Sequence, residues 1–133
     1  MSRVRDAMVS DPVTLEASAS AQEAGQRLSD PGVRAVLVCR DGVLVGVLTR
    51  KTLVREVVAA GRDPATTQLG DLAEPPIFTL DADQDLEGAF RELEERDLER
   101  VPVTEQGRLV GILSRAVVQR RLAEDEPPVE EVV

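Results

Sequence analysis

Apolar residues recur along the chain in a pattern that predicts two one-sided helices. In each predicted helix they stand at positions i, i+3, i+4 and i+7. The positions are Ala21, Ala24, Gly25 and Leu28 in the first helix, and Leu86, Ala89, Phe90 and Leu93 in the second. Ser20 with Glu23 predicts a capping box, and Asp85 predicts an N-cap. Each helix must bury its apolar face against a sheet.

Short apolar runs around these helices predict strands. They cover residues 13–15, 35–39 and 44–49 in the first half, and residues 78–80, 101–104 and 109–114 in the second. Asp41-Gly42 and Gln106-Gly107 predict tight hairpin turns. Thr49 and Ser114 then predict the N-caps of two further helices. The first of these is expected to run to about Ala60, with Gly61 ending it, and the second to about Ala123.

The two halves are copies of one another. A shift of 65 positions aligns residues 4–54 with 69–119 without a gap, so that VGVLTR (45–50) returns as VGILSR (110–115). Identical pairs include Thr14/Thr79, Ala24/Ala89, Leu28/Leu93, Val38/Val103, Gly42/Gly107, Gly46/Gly111, Leu48/Leu113 and Arg50/Arg115. This is an internal duplication of a β-α-β-β-α unit. One copy is too small to bury a sufficient core alone, so we expect an α+β fold in which two copies pack together.

The tandem unit resembles the CBS domain pair, or Bateman module. The phrases that carry the resemblance are VRDAM with DPVTL, then RAVLV, DGVLVGVLT, RVPV and GRLVGILS, in the same order and spacing in both copies. The resemblance implies two repeats, residues 1–61 and 69–123, packed as a pseudo-twofold pair and joined by a linker, 62–68. The acidic, proline-containing residues 124–133 are expected to form a flexible tail.

The resemblance also implies two clefts between the repeats, which bind adenosine compounds in many relatives. AMP, ADP, ATP or S-adenosylmethionine is therefore the expected regulatory ligand, and no cofactor is required. The better cleft would use Val47, Thr49, Lys51, Thr52, Thr66, Thr67, Gly70, Leu98 and Glu99. The weaker cleft would use Arg5, Val33, Arg34, Ile112, Ser114, Ala116 and Val117.

The helix starts after the repeated phrase suggest how a nucleotide would bind. Free N–H groups at a helix N-terminus attract anions, and Thr49 or Ser114 would offer a hydroxyl to a phosphate. The alternative is that both hydroxyls only cap their helices. The family pattern places an aspartate for the ribose three residues later, where this chain has Thr52 and Val117. Hydrogen bonds to a charged group contribute about 1.5–3 kcal/mol each, so both clefts should be weakened, the Val117 cleft more.

A homodimer is expected by resemblance. Valines on the final helix of each repeat would supply an apolar face: Val54, Val57, Val58, Val117 and Val118. The alternative is that these valines pack within the monomer.

Composition argues against several other classes of function. A net charge of −9 and the absence of Tyr and Trp argue against nucleic acid as a partner. The absence of histidine excludes His-based catalysis and the usual zinc sites. The acidic residues are typical of caps, turns and solvated helix faces, so an enzyme is not expected. No apolar run is long enough to span a membrane, and the single Cys39 suits a reducing compartment, so a cytoplasmic protein is expected.

Two hypotheses follow. The first is a non-enzymatic sensor that binds an adenosine-type ligand, preferentially in the cleft of Thr49 and Thr52. The second is a dimeric interaction module whose clefts have lost nucleotide binding and which acts on an unknown protein partner.

Overall fold

The computed structural model describes residues 2–10, 12–76 and 78–125. The helices are α1 Val4–Ala7, α2 Ala21–Leu28, α3 Arg50–Leu53, α4 Leu86–Glu95 and α5 Arg115–Asp125. The strands are β1 Thr14–Glu16, β2 Val36–Arg40, β3 Val43–Leu48, β4 Leu80–Asp81, β5 Arg100–Glu105 and β6 Arg108–Ser114. A π-helical turn, Val54–Val58, follows α3, and a 3₁₀ helix covers Leu69–Asp71. The α+β prediction and the β-α-β-β-α order of each repeat are confirmed.

The predicted helix starts are confirmed. Ser20 accepts a hydrogen bond from the backbone N–H of Glu23, and Asp85 accepts one from Gly88. Both predicted hairpin turns have left-handed backbone at their two central residues, with φ values of 53° and 81° at Asp41 and Gly42. Positive φ at both positions is the geometry of the two-residue type I′ turn. Of the predicted acidic tail, residues 124 and 125 belong to α5, and 126–133 lie outside the described residues.

The helix predicted to run from Thr49 to Ala60 differs from expectation. It begins as an α-helix, but its later hydrogen bonds span five residues: Ala59 N–H donates to Val54 at 2.8 Å, and Arg62 N–H donates to Val57 at 2.9 Å. The wider turn adds one residue, which the apolar spacing does not reveal. Gly61 follows with a φ of 70°, the left-handed conformation expected where the helix ends.

The described residues form two compact units. The first-repeat unit consists of residues 11–78 and 106–109, and the second-repeat unit consists of residues 1–10, 79–105 and 110–133, each taken over its described part. In the first-repeat unit β1 runs parallel to β2, and β2 is antiparallel to β3. In the second-repeat unit β4 runs parallel to β5, and β5 is hydrogen bonded to β6. The β5–β6 turn, residues 106–109, belongs to the first-repeat unit, where Arg108 pairs with Val43.

Each unit contains a segment that the chain order assigns to the other repeat. In the second-repeat unit Val9 exchanges two backbone hydrogen bonds with Ile112, at 2.8 and 3.0 Å. In the first-repeat unit Glu74 exchanges two with Val47, at 2.8 and 3.1 Å. These pairs occupy equivalent positions of the two copies. The opening segment of each repeat is therefore built into the unit of the other.

Gly46 and Gly111, identical in the repeated phrase, make this exchange possible. A Cβ added at Gly46 would lie 2.7 Å from the carbonyl oxygen of Glu74, and one at Gly111 would lie 2.7 Å from that of Val9. Real Cβ atoms do not approach oxygen that closely. The glycines are therefore required where the exchanged segments cross the strands.

Each unit has its own apolar core. In the first-repeat unit the buried cluster consists of Ala17, Ala21, Ala24, Val38, Leu48, Val57, Leu69 and Leu72. In the second-repeat unit the most buried side chains include Val4, Leu80, Leu86, Leu93, Val101, Val103, Leu113 and Val118. Val4 and Leu69, both fully buried, come from the exchanged segments, so the exchange supplies core as well as backbone pairing.

Candidate functional site

The loop from β3 into α3 carries the hydroxyls predicted for the better cleft. Thr49 caps the helix, since its Oγ1 accepts from the backbone N–H of Thr52 at 3.4 Å. The two hydroxyl oxygens also lie 3.2 Å apart, and Thr52 is buried, with 4% of its surface exposed. Each hydroxyl is therefore engaged within the protein. The capping role is confirmed, and a ligand would have to displace the Thr52 hydroxyl from this pair. Lys51 is exposed between them.

The two identical arginines after the caps hold loops of their own repeats. A terminal nitrogen of Arg50 donates to the carbonyl oxygens of Asp30 and Val33, at 2.9 and 2.8 Å. Arg115 forms ion pairs with Asp97 and Glu99, and its backbone N–H donates to the Glu99 carbonyl at 2.9 Å. Arg50 ties the start of α3 to the loop before β2, and Arg115 ties the start of α5 to the loop before β5. The charge of Arg115 is paired with carboxylates, whereas the hydrogen bonds of Arg50 are made to neutral carbonyls.

The segment from Thr66 to Gly70 lies against the start of α2 and the end of β1. The Thr67 hydroxyl donates to the Asp63 carbonyl at 2.7 Å, and the Thr67 carbonyl accepts from Ala21. Gly70 N–H donates to Ala17 at 2.8 Å, whereas Thr66 is exposed. The first-repeat unit thus contains seven of the residues predicted for the better cleft. These are Val47, Thr49, Lys51, Thr52, Thr66, Thr67 and Gly70.

Arg40, which the sequence did not single out, lies beside Gly70. A Cβ at Gly70 would stand 3.2 Å from a terminal nitrogen of the Arg40 guanidinium. Arg40 is exposed and has no ion-pair partner among the described residues. The repeat alignment carries a signal that would have found it: Gly70 and Arg40 align with Arg5 and Glu105. In the second-repeat unit the cation, Arg5, lies on the exchanged segment. In the first-repeat unit the cation, Arg40, lies at the end of β2.

The equivalent place in the second-repeat unit has its charges neutralised. Arg5 donates to Asp83 at 2.7 Å and to Glu105 at 2.9 Å. Its hydrogen bonds to Asp83, with the charge attraction between them, lower the pKa of that carboxyl below its ordinary value. Arg5 was predicted to belong to the weaker cleft, where its guanidinium would suit a phosphate. Its two carboxylate partners compete with that role.

The other predicted residues divide between the two units. Leu98 and Glu99 belong to the second-repeat unit, and the Glu99 carboxylate faces Arg115. The same unit contains Ile112, Ser114 and Val117, all half-buried, and the exposed Ala116.

Val33 and Arg34, predicted for the weaker cleft, belong to the first-repeat unit. Arg34 lines a surface cavity of about 400 Å³ together with Ser29, Pro31 and Arg50. Each predicted set thus takes residues from both units.

Only part of the predicted dimer face is exposed at the surface of the protein. Val57 and Val118 are buried in the cores of their own units. Val54 and Val58 are 58% and 73% exposed. Of the two alternatives, packing within the monomer holds for the first two valines, while self-association stays a prediction. Among the described residues no helix is long and apolar enough to cross a membrane, and no cluster of three or more His, Cys, Asp or Glu side chains could hold a metal ion.

Comparison with known proteins gives the family. Both repeats match the CBS domain, over residues 4–59 and 69–124. The chain belongs to the CBS domain family, as the repeated phrases predicted, and is a CBS pair, a regulatory class of module.

Two relatives resemble most of the chain. Hypoxic response protein 1 of Mycobacterium tuberculosis is 33% identical over 125 residues, which cover 93% of this chain and 87% of that protein. The CBS domain-containing protein YhcV of Bacillus subtilis is 29% identical over 114 residues, covering 86% of this chain and 81% of that one.

Two solved structures are similar to this chain over most of its length. Hypoxic Response Protein I with two coordinated zinc ions has a TM-score of 0.77 at 32% identity, covering 91% of this chain and 99% of that one. CBSX2 in complex with AMP has a TM-score of 0.74 at 26% identity, covering 94% and 98%. The zinc ions and the AMP belong to those proteins.

Proposed function

We propose that this CBS pair is a non-enzymatic sensor that binds an adenosine-type ligand, with the first-repeat unit supplying the main polar contacts. The observation that carries the proposal is the Arg40 guanidinium beside Gly70, which has no ion-pair partner in the described part of the chain. Lys51 is a second exposed cation of the same unit without an ion-pair partner among the described residues. In a chain of net charge −9, cations left without carboxylate partners favour an anionic ligand.

The contrast between the two units supports the ranking made from the sequence. Arg5, at the position equivalent to Gly70, has two carboxylate partners, and Val117, at the position equivalent to Thr52, has no hydroxyl for a ribose. The AMP complex of CBSX2, a similar protein, supports the ligand class. AMP, ADP, ATP and S-adenosylmethionine are the ligands to test.

A thermal-shift series with these four compounds tests the proposal. A ligand at one hundred times its dissociation constant should add about 2.7 kcal/mol to the free energy of unfolding, which raises Tm by several degrees for a chain of this size. Arg40→Gln should weaken binding, whereas Arg27→Gln, the same change of charge on α2, should not. No shift with any compound at millimolar concentration would contradict the proposal.

A gain-of-function variant separates the two clefts. Val117→Asp restores the family's ribose carboxylate and should strengthen binding to the weaker cleft about tenfold or more, because hydrogen bonds to a charged group contribute about 1.5–3 kcal/mol. Thr52→Val should reduce binding to the better cleft more than Val117→Ala does. The opposite order would mean that the weaker cleft is the functional one.

The second hypothesis, an interaction module without a nucleotide, also has an observation in its favour. The Thr49 and Thr52 hydroxyls satisfy one another, so the helix start is complete without a ligand. In that case none of the four compounds would shift Tm. Light scattering would instead find a stable homodimer.

A further inference from the structure

The turn between β2 and β3 brings together two groups that can react with one another. It consists of Asp41 and Gly42, which form the single Asp-Gly pair of the chain, and both residues are exposed. The side chain of Asp41 carries a carboxyl carbon, and the backbone nitrogen of Gly42 is the next nucleophile along the chain. A bond between these two atoms closes a five-membered ring, which is the first step of aspartate isomerisation.

Both reacting groups are accessible in the folded protein. Within the described part of the chain, the Asp41 carboxylate has no ion pair or side-chain hydrogen bond. The Gly42 N–H donates to no backbone carbonyl of the described residues. Glycine also has no side chain that could hinder the approach to its nitrogen. The ring can therefore close without breaking an existing hydrogen bond.

The backbone of the turn favours the isomerised product. Asp41 has a φ of 53°, the left-handed conformation that brings the Cβ of an L-residue close to the following carbonyl oxygen. In isoaspartate the main chain passes through the former side chain and is longer by one methylene group. The longer link no longer requires a positive φ at position 41, so isomerisation relieves this crowding.

Arg108 places a positive charge beside the reacting nitrogen. A Cβ at Gly42 would lie 3.0 Å from the guanidinium carbon of Arg108. Strand β6 holds the side chain there, because Arg108 pairs with Val43 and the Leu109 N–H donates to the Gly42 carbonyl at 3.1 Å. Arg108 has no ion-pair partner in the ranges that the structure describes. Its charge stabilises the negative charge that develops on the nitrogen as the proton leaves.

The second repeat contains the same turn without the aspartate. Gln106 and Gly107 have φ values of 53° and 80°, almost those of Asp41 and Gly42. Ring closure through the longer glutamine side chain would give a six-membered ring, which forms less readily. The two copies therefore compare reactive and unreactive side chains on one backbone conformation.

We propose that Asp41 is a site of spontaneous isoaspartate formation in the folded protein. The Gly42 nitrogen bonds to the carboxyl carbon of Asp41, and a carboxyl oxygen leaves as water with the proton of that nitrogen. Water then adds to a ring carbonyl, and cleavage of the bond between the nitrogen and the former main-chain carbonyl leaves isoaspartate. The mass is unchanged, and water is the only co-reactant. The proposal is independent of the nucleotide site, since it uses neither the Thr49 hydroxyl nor the Arg40 guanidinium.

The test incubates the full-length protein at neutral pH, folded in one sample and unfolded in urea in another. A protease that cuts after glutamate then releases residues 24–56, and electron-transfer mass spectrometry distinguishes isoaspartate from aspartate. In the folded sample isoaspartate should appear at Asp41 before any other aspartate. Asp30 in the same fragment precedes Pro31, which has no N–H, and should not react. Conversion of Asp41 in urea alone would overturn the proposal, because the turn would then protect it.

Two variants test the assigned groups. Asp41→Asn should accelerate isoaspartate formation, because ammonia leaves from an amide more readily than water leaves from a carboxylate. Arg108→Gln should slow the folded sample about two- to fivefold, the size of an exposed charge interaction. Arg27→Gln, the same change of charge on α2, should leave the rate unchanged. Equal rates in the two arginine variants, with the Val43 amide signal of each unshifted in NMR, would overturn the role of Arg108.

Discussion

At the scale of single residues, the repeated phrase is explained by two glycines whose lack of a side chain lets a neighbouring backbone pass. Gly46→Ala and Gly111→Ala each place a Cβ 2.7 Å from a carbonyl oxygen of an exchanged segment. We expect each change to reduce the free energy of unfolding by about 1–3 kcal/mol, the cost of overpacking. Urea denaturation of the two variants measures this.

Gly88→Ala is the control for these variants. It lies inside α4, and a Cβ there would be 3.4 Å from the Asp85 carboxylate, an ordinary contact. It should therefore stabilise the protein by about 0.5–1 kcal/mol, since alanine is the better helix former. Destabilisation by all three changes alike would show that the close approach is not the cause.

The Arg5–Asp83 pair gives a prediction on pH. Asp83 accepts hydrogen bonds from Arg5 at 2.7 and 3.1 Å, and these bonds lower its pKa. Because the folded pKa is below the unfolded one, the carboxylate stabilises the fold above the unfolded pKa, and this contribution is lost as pH falls through the folded pKa. In Arg5→Gln, ¹³C NMR titration should show a higher pKa for Asp83. Arg27→Gln should leave it unchanged.

At the scale of elements, the sequence was sufficient wherever a local signal determines the backbone. Ser20, Asp85 and Thr49 were predicted as caps because their short side chains reach the N–H groups at a helix start. The π-helical turn at Val54–Val58 was not predicted, because one extra residue in a turn leaves apolar spacing almost unchanged over so short a helix. Arg40 was missed because its proximity to Gly70 depends on two segments that are distant in sequence.

The loops held by Arg50 and Arg115 yield a prediction on salt. Arg50 donates to two neutral carbonyls, whereas Arg115 pairs with Asp97 and Glu99, which are 92% and 70% exposed. Arg50→Ala should cost about 0.5–1.5 kcal/mol, and Arg115→Ala about 0.2–1 kcal/mol. Since salt screens exposed ion pairs, 1 M NaCl should shrink the Arg115 effect and leave the Arg50 effect. Urea denaturation at both salt concentrations distinguishes them, and equal salt sensitivity would contradict the assignment.

At the scale of the whole molecule, the duplication was visible in the sequence but the exchange of segments was not. A period of 65 residues establishes that the two copies share one fold. The period does not determine whether the opening segment of a copy packs on its own strands or on those of the other copy, because both arrangements bury the same residues. Val4 and Leu69 illustrate this, since their apolar character is compatible with burial in either unit.

The exchange leads to a reciprocal prediction. Val4 aligns with Leu69, and both are fully buried, Val4 in the second-repeat unit and Leu69 in the first. Val4→Ala, at a cost of about 1–3 kcal/mol, should loosen the segment that holds the Ile112 amide, whose N–H donates to Val9. Leu69→Ala, at about 2–5 kcal/mol, should instead loosen the Val47 amide, whose N–H donates to Glu74. Hydrogen exchange followed by NMR measures the exchange rates of both amides in one sample. Each variant is the control for the other, because general destabilisation would speed both amides equally. Selective acceleration at the amide distant in chain order means that either repeat can be loosened through the opening segment of the other.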